Sequence, residues 1–124
     1  MSIAARNRLR GSTCQVHRPL TVEGTGGQAV VLYPLLLVDT PIELLPVTDE
    51  IARQIFGLDD RIDCSALVPR SLGIARGDGV AVSDGAHAGE RFFVLAARQL
   101  GDYRRGYIEL ALQATTLPFE PEAT

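Results

Sequence analysis

The strongest constraint on the fold lies between Ala66 and Gln113, where short apolar runs alternate with turns rich in Gly and Asp. The runs are Ala66-Leu67-Val68, Val80-Ala81-Val82, Phe92-Phe93-Val94-Leu95 and Tyr107–Gln113. Between them lie Arg76-Gly77-Asp78-Gly79, Ser83-Asp84-Gly85 and the polar stretch Gln99–Gly106. Short strands punctuated this way form a β-meander that curls into a small barrel. In the last run Ile108, Leu110 and Leu112 share one face and Tyr107, Glu109 and Ala111 the other, the clearest period of two in the chain.

A chain of 124 residues reads as one domain, and folding at this size buries roughly 65% of the unfolded surface, enough for a core without staples. Ser12–Arg18 alternates and is expected to be the first strand. Glu23–Gly27 is a flexible turn; its glycines lack the Lys-Ser/Thr ending of a phosphate loop. Gln28–Val38 reads as a second strand region, with Pro34 marking a bulge, an edge or a strand switch. Residues 39–65 form an insertion. Its first part, through Pro41 and Pro46, is expected to be extended and irregular. A short helix then starts at Thr48, with Asp49 and Glu50 at its positive end, and Ile51, Ile55 and Phe56 as its apolar face. Residues 1–11 are an N-terminal arm and 114–124 an extended tail. The fold expected is therefore mainly β: a small SH3-like antiparallel barrel over 12–113, with one short helix in the insertion and extended termini.

Searching the sequence for chemistry finds little. His17 and His87 are far apart and have no Cys, His or patterned carboxylate beside them. Cys14 and Cys64 form no metal-ligand pattern and read as reduced, small buried residues. The acids Asp59, Asp60 and Asp63 lack the spacing of a calcium loop. No nucleophile-base-orienter set is evident, so an enzyme is not expected, and no metal or cofactor either. Arg76-Gly77-Asp78 spells an adhesion tripeptide, but its place before a strand marks it as turn geometry. All 12 basic residues are Arg, while the formal net charge is −3. That balance argues against a DNA-coating surface and leaves room for local Arg sites. Residues 1–18 carry four Arg, at positions 6, 8, 10 and 18, and no acid, a locally basic arm on an otherwise acidic chain. No apolar signal segment follows the first arginines, and the longest uncharged apolar run, 29–38, is too short to span a bilayer.

The order of steps carries a family resemblance. Thr13-Cys14-Gln15-Val16-His17-Arg18 leads into a Pro-containing second strand and a helical insertion. Ala66-Leu67-Val68-Pro69, Gly77-Asp78-x-Val80, Asp84-Gly85, Phe93-Val94 and Gly106-Tyr107-Ile108-Glu109-Leu110 follow. Over residues 12–113 this resembles the head-completion, or stopper, proteins in the neck of long-tailed bacteriophages and gene-transfer particles. The resemblance implies a virion protein, assembled in the host cytoplasm, that forms a homo-oligomeric ring below the portal and adaptor. Such a ring closes the DNA-filled head, docks the tail terminator or tail tube, and lets double-stranded DNA pass its lumen; no membrane is involved.

On that reading His87, Arg91, Arg104 and Arg105, on the two polar loops, are candidates to face the lumen and its DNA. Arg6, Arg8 and Arg10 in the arm and Glu120 and Glu122 in the tail are candidates for subunit or partner contacts, being opposite in sign. Ile42, Leu44, Leu45 and Phe119 are expected to supply the apolar part of those contacts. The longer 83–91 loop and the apolar start of the insertion depart from the family pattern. Two alternatives remain open: a tail-completion or terminator component, and a small-barrel module that binds a peptide or oligonucleotide.

Overall fold

Alternating side chains fold here as alternation requires. In a computed structural model, which describes residues 12–45, 49–57, 61–99, 106–116 and 119, the strands are β1 (Ser12–His17), β2 (Leu20–Glu23), β3 (Ala29–Leu32) and β4 (Leu35–Leu45), then β5 (Cys64–Pro69), β6 (Gly79–Val82), β7 (Arg91–Gln99) and β8 (Tyr107–Thr115). One helix, α1 (Asp49–Phe56), lies between β4 and β5. Six strands close an antiparallel barrel in the order β1-β4-β5-β8-β7-β6, with β1 paired to both β4 and β6. The small barrel expected from the sequence is present. β2 and β3 form a separate two-stranded sheet.

The inward face of β8 organises the core. Leu110 and Leu112 are fully buried and Ile108 nearly so. Leu110 pairs with Ala66 and Ile108 with Val68 across β5, so small and large side chains face each other. Val16, Val80 and Val94 are buried from the other walls. Each such aliphatic side chain stabilises the fold by about 1.5–3 kcal/mol.

The segment beginning at Asp39 is more regular than expected, since β4 continues to Leu45. The strand accommodates its irregularities as bulges. From Cys14 to Val16 on β1 the partner moves from Thr40 to Leu37, and from Val16 to His17 it moves from Leu37 to Leu35. Each step leaves one extra residue on β4, which bends the strand and increases its twist. Asp39 lies in the first of these bulges with φ of 48°, a left-handed conformation that Asp tolerates better than a branched residue. Pro41 fits because pairing to β5 involves only Glu43, Leu44 and Leu45, so no ladder bond on that side requires its missing N–H.

The orientation of α1 also differs from expectation. Ala52 is buried against Ile62 and Ala111, with Phe56, Leu95 and Ala96 packed around them. Two small residues, Ala52 and Ala111, let the helix lie close to the outer side of β8. Phe56 is further covered by the Arg98 guanidinium, 5.6 Å from its ring centre. Ile51 and Ile55 therefore point away, 50% and 42% exposed. The helix ends at Gly57, whose φ of 67° is the left-handed stop. Thr48, the expected cap, is outside the described residues.

Both thiols are free. Burial pushes Cys14 up to about 12. Cys64 is also pushed up to about 12, by burial first and then by the charges of Asp63 and Glu90. Because the thiolate is the reactive form, a thiol-directed dye at pH 8 is expected to label the native protein at least ~100-fold more slowly than the unfolded chain. Cys14 also sets a pH dependence. Its folded value lies above the ordinary 9.0, so its contribution is complete below that pH and is lost as pH rises towards 12. Cys64 behaves alike, so denaturation at stepped pH should show a loss of about 1.4 kcal/mol per pH unit from each thiol in that window, reduced to roughly half in Cys14→Ala.

Candidate interaction surface

The β2–β3 hairpin stands apart from the barrel because of the residues at its root. Pro19 and Pro34 interrupt the two chains that enter and leave it, each removing a backbone donor and breaking strand continuity. Beyond them the register is regular: Leu20 opposite Leu32, Thr21 opposite Val31, Val22 opposite Val30 and Glu23 opposite Ala29. At the tip, Gly24 N–H donates to the Gln28 carbonyl at 2.6 Å. Gly26 and Gly27 take φ of 82° and 80° there, a turn in which side chains other than glycine are strained.

Cross-strand partners share a face. Leu20, Val22, Val30 and Leu32 thus form one wholly aliphatic side of the hairpin. Six of the eight large hydrophobic residues exposed among the described residues lie in this region: Leu20, Val30, Val31, Leu35, Leu36 and Val38. The other two are Ile51 and Ile55 on α1. Among the described residues β2 and β3 pair only with each other, so each has one edge without a strand partner there.

The root, by contrast, is tightly held. Arg18 N–H donates to the Pro34 carbonyl at 3.1 Å, and His17 donates from Nδ1 to the Tyr33 carbonyl at 3.0 Å. The Arg18 guanidinium forks onto Asp78, Nε to Oδ1 at 3.0 Å and Nη2 to Oδ2 at 2.9 Å. It also donates to the Gly73 carbonyl at 2.8 Å. Asp78 Oδ2 accepts a further bond from the Ala75 N–H at 2.9 Å. Asp78 is thus a buried turn-former, and the Arg76-Gly77-Asp78 tripeptide does not present its carboxylate to solvent.

Phe119 completes the root. Its ring meets His17 at 5.3 Å, Tyr33 at 5.5 Å and Phe93 at 5.5 Å between centroids. Beneath it lies Gly79, where an added Cβ would come within 2.7–3.0 Å of three ring carbons. The glycine is what lets the ring sit against β6.

The residues singled out from sequence fall in different places. Ile42, expected to contact another subunit, is 2% exposed and belongs to the barrel core. It sits opposite Ser12 on β1, and the strand alternation turns it inward. Phe119, assigned the same role, is 6% exposed and packs on its own chain. Leu44 is half-buried against the core, and Leu45 is half-buried at the end of β4. His87 donates to Glu90 in the 83–90 loop, so an acid accompanies it. Arg91 opens β7 and donates to the Thr116 carbonyl at 3.0 Å. Arg6, Arg8, Arg10, Arg104, Arg105, Glu120 and Glu122 lie outside the described residues. These positions are not gathered into one surface among the described residues.

The aliphatic hairpin itself escaped the sequence reading. Its signal was a run of apolar residues on each side of Gly24-Thr25-Gly26-Gly27, a hairpin pattern. Among the described residues no cluster of three or more His, Cys, Asp or Glu is placed to hold a metal, and no helix is long and apolar enough to cross a membrane. Compared with known proteins, the chain matches no family model and no curated sequence.

Proposed function

We propose that the chain is a structural protein of the neck of a tailed phage particle, a ring-forming stopper between the portal and adaptor above and the tail terminator or tube below. The observation that carries this reading is the pairing of a closed barrel with a firmly rooted, outward-facing aliphatic hairpin. A neck component has to bind neighbours and hold shape under the pressure of packaged DNA. A barrel without sheet edges supplies the shape, and an exposed apolar element supplies attachment. The resemblance in the order of strands and turns points to the same class. DNA passing the lumen would meet a chain of net negative charge, which disfavours stalling on the wall.

The test is cosedimentation of the purified chain with DNA-filled, tail-less capsids that carry portal and adaptor but lack this protein. A saturable amount is expected to bind and to protect the packaged DNA from added nuclease. Absence of binding, with portal and adaptor present, contradicts the neck role.

A further inference from the structure

Two aliphatic patches on one chain raise the question of what covers them. The larger is the hairpin with the start of β4; the smaller is the Ile51/Ile55 stripe of α1. Their placement follows from strand order. The hairpin springs from the end of β1 and the start of β4. The helix lies over Ala111 of β8 and over Leu95 and Ala96 of β7. In the closed order β1-β4-β5-β8-β7-β6, β8 is three strands from β1 in either direction, and β7 is three from β4. The two patches therefore belong to opposite walls of the barrel.

We propose that the hairpin of one copy of this chain packs on the α1 stripe of the next, a head-to-tail contact between identical chains. Surfaces on opposite walls cannot satisfy each other within one chain, and a symmetric hairpin-to-hairpin dimer would leave Ile51 and Ile55 bare. A heterologous contact covers both patches with every copy added, and it closes into a ring when the rotation allows.

The size of the patch fits a second protein. From their fractional exposures, the six hairpin and β4 side chains present roughly 450 Å² of apolar surface, above what scattered exposed residues give. A standard interface takes roughly 800 Å² from each partner, of which about 60% is apolar. The hairpin and β4 side chains together come close to that apolar share, although Val31, opposite Thr21, lies on the other side of the hairpin from Leu20 and Val30. Glu23 and Asp39 are the only charged residues from 19 to 42, so little charge is desolvated at the centre of the contact. This inference specifies how subunits would meet in the proposed ring, but it concerns the isolated chain and stands or falls without portal or DNA.

The experiment uses complementary variants of the full chain, followed by analytical ultracentrifugation. Leu20→Lys/Val30→Lys disables the hairpin, and Ile51→Lys/Ile55→Lys disables the stripe. All four positions are exposed, so circular dichroism is expected to match the parent. If the hairpin pair fails to fold, Leu20→Thr/Val30→Thr retains strand preference and replaces it. The parent chain should self-associate with increasing concentration, and each variant alone should remain monomeric. An equimolar mixture of the two should give a one-to-one heterodimer and nothing larger, because one intact hairpin meets one intact stripe.

Three results overturn the proposal: a parent that stays monomeric up to about 1 mM, the range of the weakest contacts; a stripe variant that associates as well as the parent, as hairpin-to-hairpin pairing predicts; or a mixture that remains monomeric. Loss of capsid binding with the mixture result intact would instead count against the neck role alone.

Discussion

Replacing Arg18 with Ala is expected to lower the free energy of unfolding by about 3 kcal/mol, the low end for breaking a buried ion pair. Asp78 is the reason. Its side chain is 2% exposed while that of Arg18 is 46% exposed, so the two partners do not suffer equally. Without Arg18, the carboxylate retains only the Ala75 N–H among its described donors. Water entering where the half-exposed guanidinium lay keeps the loss near the lower bound. Arg18→Lys should recover only part, because an ammonium cannot reproduce the two-pronged geometry. The exposed Arg61–Asp63 pair, at 3.3 Å, is the internal comparison: Arg61→Ala should cost less than about 1 kcal/mol. Urea denaturation of the three variants measures these differences, and equal losses for Arg18→Ala and Arg61→Ala would contradict the role given to burial.

The second large effect is expected at Phe119, where substitution by Ala should cost about 3 kcal/mol, as for other buried aromatic residues. The ring is 6% exposed and touches His17, Tyr33 and Phe93 together. Gly79 provides a sharper check. A methyl at this position would overlap three carbons of the Phe119 ring, so Gly79→Ala should displace the ring and cost nearly as much as Phe119→Ala. In the Phe119→Ala background the same methyl meets no ring, and its further cost should fall below about 1 kcal/mol. Such strong non-additivity is the mark of two residues in one contact. Additive losses in the double variant would mean that the ring does not rest on Gly79.

These two sites show where sequence was informative and where it stopped. The strands from Ala66 to Gln113 were legible because each buries one face, and Ile108, Leu110 and Leu112 record that burial as strict alternation. The turn role of Arg76-Gly77-Asp78 was legible for a similar local reason. Contacts distant in sequence were not. Nothing near Asp78 marks Arg18 as its partner, 60 residues away. Phe119 belongs to the segment 114–124 expected to be an extended tail, and its pocket is assembled from β1, β6, β7 and Tyr33, so the sequence offered it to another subunit. Ile42 misled because the prolines around it suggested an irregular segment, whereas bulges keep β4 in the barrel and Ile42 inside.

The helix and the hairpin failed for the opposite reason. In α1 the larger residues, Ile51 and Ile55, were assigned to the buried face, but close approach to β8 favours Ala52. In the hairpin, residues 23–27 were read as a flexible turn and 28–38 as one strand region, so the pairing of β2 with β3 was missed. In both places local pattern alone did not tell which apolar residues the barrel would cover. The apolar residues that the barrel leaves exposed mark the candidate interaction surface.

The neck role is tested most directly by imaging particles assembled with this protein deleted and all other particle proteins present. A stopper role predicts heads that fill and then lose DNA, or that remain filled without joining tails, with restoration when the protein is supplied. Tailed, DNA-filled and infectious particles in its absence would contradict that role outright.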